Sequence, residues 1–168
     1  MRILAADDEP LMLDMLTDRI RQACPQGEVH AFSSARKLLE WVEENGGAFD
    51  AAFLDIEMPG MSGIALAQRL KELCPRGNLI FVTGYSQYMA EAFQLHASGY
   101  IMKPVTVRAV EEELRNLRYP PQQQEHPQPS AISRFFMPAS LSTSAAAGPR
   151  NSLPTSSTAG GRGAPWGS

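Results

Sequence analysis

The chain has 168 residues, 43% of them apolar, enough for one ordinary domain with a sizeable core and some chain to spare. Residues 1–118 hold 12 Lys and Arg against 17 Asp and Glu, net −5, while the remainder holds 3 against 1, net +2. An acidic folded part is a poor grip for nucleic acid, whose phosphates call for a basic face. Two cysteines, Cys24 and Cys74, are too few for a disulfide framework or a metal-ligand set. Each precedes a proline and reads as a reduced small hydrophobe where a helix stops. No basic segment leading into an apolar stretch, and no apolar run approaching about 18 residues, marks a leader or a membrane span. The expectation is a cytoplasmic protein with no membrane partner.

Up to Arg118 the chain reads as five repeats of a short strand followed by a helix. Arg2–Ala6 is a short apolar run, the pattern of a strand buried on both faces of a parallel sheet. Asp7, Asp8, Glu9 and Pro10 then suit a helix start, and Leu13, Leu16 and Ile20 recur at helical spacing as far as Cys24 and Pro25. Glu28–Phe32 reads as the second strand. Ser33 or Ser34 can cap a helix with Ala35, Leu38, Leu39 and Val42 inside, ended by Asn45, Gly46 and Gly47. Phe49–Ile56 is the most apolar strand, expected at the sheet's centre and interrupted near its end by Asp55.

Beyond the turn at Met58, Pro59 and Gly60, Ile64–Leu73 predicts the third helix. Asn78–Val82 predicts the fourth strand and Ser86–Leu95 a weakly patterned fourth helix. Tyr100–Met102 predicts the fifth strand. The last helix, Thr106–Arg118, has Val107, Val110, Leu114 and Leu117 on one face. Trp41 and Met89 read as packing residues, and His30, His96 and His126 form no cluster. The repeat implies an α/β fold: a single doubly wound domain of five βα units, with a five-stranded parallel sheet and helices on both faces.

Such sheets carry their functional groups at the carboxyl ends of the strands, near a topological switch point. Asp7 and Asp8 follow the first strand, Asp55 closes the third, Thr83 follows the fourth and Lys103 the fifth. All fall at the same end. Three converging carboxylates repel one another unless a cation is present, and a hard divalent ion that shares phosphate oxygens, Mg²⁺, suits oxygen ligands of this kind. With such an ion, Asp55 can act as a nucleophile on phosphorus, while Lys103 offers a positive charge and Thr83 a hydroxyl donor to phosphate oxygens. Each residue alone has a plainer reading: helix caps for Asp7 and Asp8, a turn aspartate for Asp55, a strand residue for Thr83, a solvated charge for Lys103, a core aromatic for Tyr100. Taken together, the plain readings need five coincidences at one sheet edge.

Four blocks carry a family resemblance: Asp7–Pro10; Leu54–Gly63, reading LDIEMPGMSG; Val82–Gly84; and Tyr100–Pro104, reading YIMKP. In order and spacing they resemble the signature blocks of response-regulator receiver domains of bacterial two-component systems, over residues 1–118. The resemblance implies that Asp55 accepts the phosphoryl group, that Asp8 binds Mg²⁺ directly and Asp7 largely through water, and that Glu57 offers the metal its backbone carbonyl. It implies further that Thr83 and Tyr100 form a switch pair and that the Lys103–Pro104 bond is cis. The implied partner is a sensor histidine kinase; a homodimer on phosphorylation is left open, as is whether it would form through the fourth helix, fifth strand and fifth helix. The function implied is a signalling switch rather than an enzyme.

Two other functions stand beside it. One is a stand-alone receiver acting through protein contacts only. The other is an aspartyl-phosphate phosphatase of the haloacid-dehalogenase-like class, which needs a second Asp two residues after its nucleophile, where this chain has Glu57. Residues 119–130 read as a Pro/Gln-rich linker and 131–168 as a low-complexity, disordered tail of Ser, Ala, Gly and Pro. DNA binding is therefore expected only with an intact output domain, in which case the output is transcription. A reading frame starting at the third base of the Ala131 codon can encode strand-like alternation followed by a basic, helix-like run. That stretch resembles the start of the winged-helix output domain of antibiotic-regulator-type activators, as a frameshifted tail would.

Overall fold

The computed structural model describes residues 1–122. Five strands form one parallel sheet: β1 (Arg2–Ala6), β2 (Glu28–Phe32), β3 (Ala51–Leu54), β4 (Asn78–Thr83) and β5 (Gly99–Met102), in the order β2-β1-β3-β4-β5. Between and after them lie α1 (Pro10–Ala23), α2 (Ala35–Glu44), α3 (Gly63–Leu73), α4 (Met89–Gln94) and α5 (Val107–Arg115). All residues of β3 and β4 are buried, as expected of central strands covered on both faces. Alternate strand residues feed two cores. Leu4, Ala52, Leu54 and Phe81 pack with Leu38, Val42, Leu66 and Leu70 of α2 and α3. Ile3, Ala5, Phe53 and Ile80 pack with Leu16, Ile20 and Val110 of α1 and α5.

Local chemistry sets the ends of the helices. Pro10 opens α1, and the Ser34 hydroxyl accepts from Lys37 N–H at 3.3 Å to cap α2. Ser62 and Thr106 cap α3 and α5 in the same way, at 3.2 and 3.1 Å. Cys24 and Cys74 stand at the C-caps of α1 and α3, both as free thiols. Among the described residues no helix is long and apolar enough to cross a membrane.

Three elements differ from their sequence patterns. The third strand is shorter than Phe49–Ile56, because its buried flanks Phe49 and Ile56 lie outside the ladder. The fourth helix splits into a 3-10 turn at Ser86–Tyr88 and the short α4. Neither piece has a side-chain cap, and His96, at φ 55°, closes the segment in the left-handed region. Met89 is half exposed and not a core residue. The last helix ends at Arg115, where Asn116 takes the C-cap, so Leu117 packs against the core from beyond the helix. Residues 123–130 of the linker and the whole tail, including the shifted-frame reading, lie outside the described residues.

Candidate functional site

The strand order reverses direction at β1, which lies between β2 and β3. The loops leaving β1 and β3 therefore diverge and open a crevice at their carboxyl ends. Asp7 begins the first of these loops: its Oδ1 accepts from Glu9 N–H at 3.0 Å, so it turns the chain into α1 as well as facing the crevice. Asp55 N–H donates to the Ala6 carbonyl at 2.9 Å, which sets it beside Asp7. Behind Asp55, Gly63 N–H donates to Ile56 O at 2.8 Å and brings the start of α3 against the Asp55 backbone. A Cβ at Gly63 would overlap the Asp55 carbonyl oxygen, so this approach needs glycine.

Asp7, Asp8 and Asp55 each present a carboxylate oxygen, all within 4.8 Å of one another. Asp7 and Asp55 are 1% and 6% exposed. The Lys103 ammonium enters from β5, 2.9 Å from Asp7 Oδ2 and 3.6 Å from Asp55 Oδ1. Lys103 is itself placed by its backbone N–H, which donates to Thr83 O at 2.9 Å. Burial pushes the Asp55 carboxyl up from 3.8 to about 6; the Lys103 charge opposes this and the Asp7 charge adds to it. Burial works against the Lys103 ammonium, but its hydrogen bond to Asp7 and the charges of Asp55 and Asp7 outweigh it and hold the group above its ordinary value. One ammonium among three carboxylates leaves the crevice short of positive charge.

The predicted residues divide into three sets. Asp7, Asp8, Asp55 and Lys103 converge. Thr83 is fully buried at the end of β4, and its hydroxyl accepts from Tyr85 N–H at 3.4 Å. Tyr100 is turned elsewhere: its hydroxyl donates to the Tyr85 carbonyl, and burial raises its pKa. The Glu57 carboxylate is no part of the acidic cluster and accepts from the Tyr88 hydroxyl at 3.1 Å. The Lys103–Pro104 bond is cis. Sequence reading passed over Tyr85 and Tyr88, whose rings meet edge to face at 6.4 Å. Their only signal is an aromatic pair three apart in a segment without helical periodicity.

Residues 3–115 match the family described as response regulator receiver domain. The chain belongs to this family. It is 30% identical over 125 residues to the transcriptional regulatory protein YpdB of Escherichia coli K12, covering 74% of this chain and 50% of YpdB. The receiver thus spans about half the length of the curated relatives it matches. Among solved structures, it resembles the response regulatory domain of protein mrkE from Klebsiella pneumoniae, with TM-score 0.63, 30% identity, and coverage of 70% of this chain and 94% of that one. It also resembles the response regulator TrrA of Thermotoga maritima in complex with Mg²⁺-BeF, with TM-score 0.59, 27% identity, and coverage of 68% and 96%.

Proposed function

We propose that this receiver accepts a phosphoryl group on Asp55 from a sensor histidine kinase in a Mg²⁺-dependent reaction, and that the modified form controls an output, transcription in the intact gene. The observation that carries the reading is the convergence of three carboxylates and one ammonium at the crevice. Asp55 supplies the attacking oxygen: its bond to phosphorus forms as the P–N bond to the donor imidazole breaks, and the electron pair returns to that ring. Lys103 neutralises a phosphoryl oxygen, and the Thr83 hydroxyl donates to another.

The crevice suits a hard divalent ion, because it gathers oxygen donors only and carries more negative than positive charge. Asp8 and Asp55 would hold Mg²⁺ directly, Asp7 through water, with the Glu57 backbone carbonyl as a further ligand. When bound, Mg²⁺ would offset charge on the phosphoryl oxygens. TrrA, solved in complex with Mg²⁺-BeF, supports a site for Mg²⁺ in a fold of this kind. The switch would run through Thr83 and Tyr100, both of which contact Tyr85 in this structure. Met89, Phe93 and Met102, which are 50%, 83% and 42% exposed, lie on the α4–β5 side and offer apolar surface for a homodimer of the phosphorylated form.

The reading is tested with acetyl phosphate and Mg²⁺. A receiver takes up about one phosphoryl group per chain and Asp55→Asn takes up none, whereas a phosphatase turns over small phosphate esters many times. Labelling of Asp55→Asn to the wild-type extent would assign acceptance to another residue.

A further inference from the structure

At the end of the sheet opposite Asp55, two buried polar side chains take no part in the acidic crevice. Asp50 stands immediately before β3 and Asn78 is the first residue of β4; they are 5% and 1% exposed. Buried groups of this kind are costly unless their hydrogen bonds are filled. Asp50 Oδ2 accepts from Arg2 N–H at 2.6 Å, which ties down the start of β1, and its Oδ1 accepts from Gln122 N–H at 2.6 Å. Asn78 Nδ2 donates to Asp50 O and to Tyr119 O, both at 2.8 Å. Its Oδ1 accepts from the Ser98 hydroxyl and from Tyr119 N–H, both at 2.9 Å. The amide is thereby saturated, and Tyr119 fills two of its four positions with both of its backbone groups.

The segment meeting these side chains reads Tyr119, Pro120, Pro121, Gln122. Prolines carry no backbone N–H, so Tyr119 and Gln122 hold the only backbone donors of the four. Both donors end on a buried side chain of the sheet's amino edge. The Tyr119 ring also lies 5.4 Å from the Lys71 ammonium, on α3. Donors, acceptors and prolines of the segment thus match what that edge presents.

We infer that the amino edge of the sheet is a docking site for the chain's own residues 119–122, built by Asn78 and Asp50. The folded receiver then includes Tyr119–Gln122, four residues beyond the boundary at 118 expected from the sequence, held at the edge opposite Asp55. The prolines fix φ at two of the four residues, which lowers the entropy that the strap gives up on docking. The strap holds whatever chemistry Asp55 performs.

Amide exchange on the full chain tests it directly. The Tyr119 and Gln122 N–H groups should exchange about tenfold or more slowly than in an unstructured peptide. Tyr119→Pro removes one donor and leaves Asn78 Oδ1 with the Ser98 hydroxyl alone. It should lower the melting temperature by about 4–8 °C and release Gln122 to fast exchange. Tyr119→Ala keeps the donor and should leave Gln122 protected. Peptide-like exchange of both amides in the unaltered chain would overturn the strap. So would a Tyr119→Pro variant with unchanged melting and a still-protected Gln122.

Discussion

Lys103 and Asp7, 96 residues apart in the chain, meet at 2.9 Å across the carboxyl ends of the strands. The contact spans the sheet, since β5 is an edge strand and β1 lies beyond β4 and β3. It also ranks the carboxylates. Asp7 takes the hydrogen bond, and Asp55 is left at 3.6 Å with its charge only partly offset. Of these two, the acceptor we propose is therefore the carboxylate whose ionised form gains more from an added cation.

That ranking predicts a pH-dependent stability. Asp55 titrates near 6 in the fold and near 3.8 unfolded, so between these values the folded state holds the extra proton. Stability from this group is then greatest below about pH 4 and falls as pH rises towards 6. Without metal at pH 7 its ionisation costs about 3 kcal/mol at most, by the pKa difference alone. Asp55→Asn should melt higher than wild type at pH 7 in chelator, with the gap closing towards pH 4. A gap that is constant over this range would mean that Asp55 ionises in the fold as it does in water.

Mg²⁺ should bind through Asp8 more than through Asp7, because Asp7 is already hydrogen-bonded to Lys103 and to Glu9 N–H. Asp8→Ala should abolish most of the Mg²⁺-induced rise in melting temperature, and Asp7→Ala should spare more of it. In chelator Asp8→Ala should also be the more stable chain, relieved of one of three crowded carboxylates. Thermal melts with and without Mg²⁺ check both. An undiminished shift in Asp8→Ala would remove it from the ligand set.

The sheet and the crevice were legible in the sequence because periodicity and position both report them. Buried strands read as apolar runs, and the polar residues that break those runs fall at one edge. Asp7, Asp8, Asp55 and Lys103 could be placed together for that reason alone. The fourth helix was legible in outline, at Ser86–Leu95, but its division into a 3-10 turn and a short helix was not, since Ala92 is the one buried residue of α4 and no side chain caps it. The Asn78 network was hidden for another reason. A side chain that bonds to backbone leaves no trace in the partner's identity, and Tyr119 offers Asn78 only its N–H and C=O.

Gly63→Ala should be destabilising although alanine is the better helix former. The added methyl would meet the Asp55 carbonyl and the Ile56 Cα, both backbone atoms with no rotamer to escape into. Overpacking of this kind costs about 1–3 kcal/mol, more than the helix-propensity gain of about 1 kcal/mol. The displaced Asp55 should also be labelled more slowly by acetyl phosphate. Denaturant unfolding and labelling rates measure the two effects, and an unchanged midpoint would show that α3 can draw back from β3.

Glu57 separates two ways of using a carboxylate residue near the crevice. If it serves the metal through its backbone carbonyl, the side chain is dispensable, and its hydrogen bond from Tyr88 agrees with that division. Glu57→Gln should keep the full Mg²⁺-induced shift in melting temperature, in contrast to Asp8→Ala, because the backbone carbonyl is unaltered. Tyr88→Phe deletes the other half of the contact, an exposed hydrogen bond, and should cost no more than about 1 kcal/mol while leaving the Mg²⁺ shift intact. Should Glu57→Gln lose the shift while Tyr88→Phe keeps it, the Glu57 carboxylate would be a ligand in its own right.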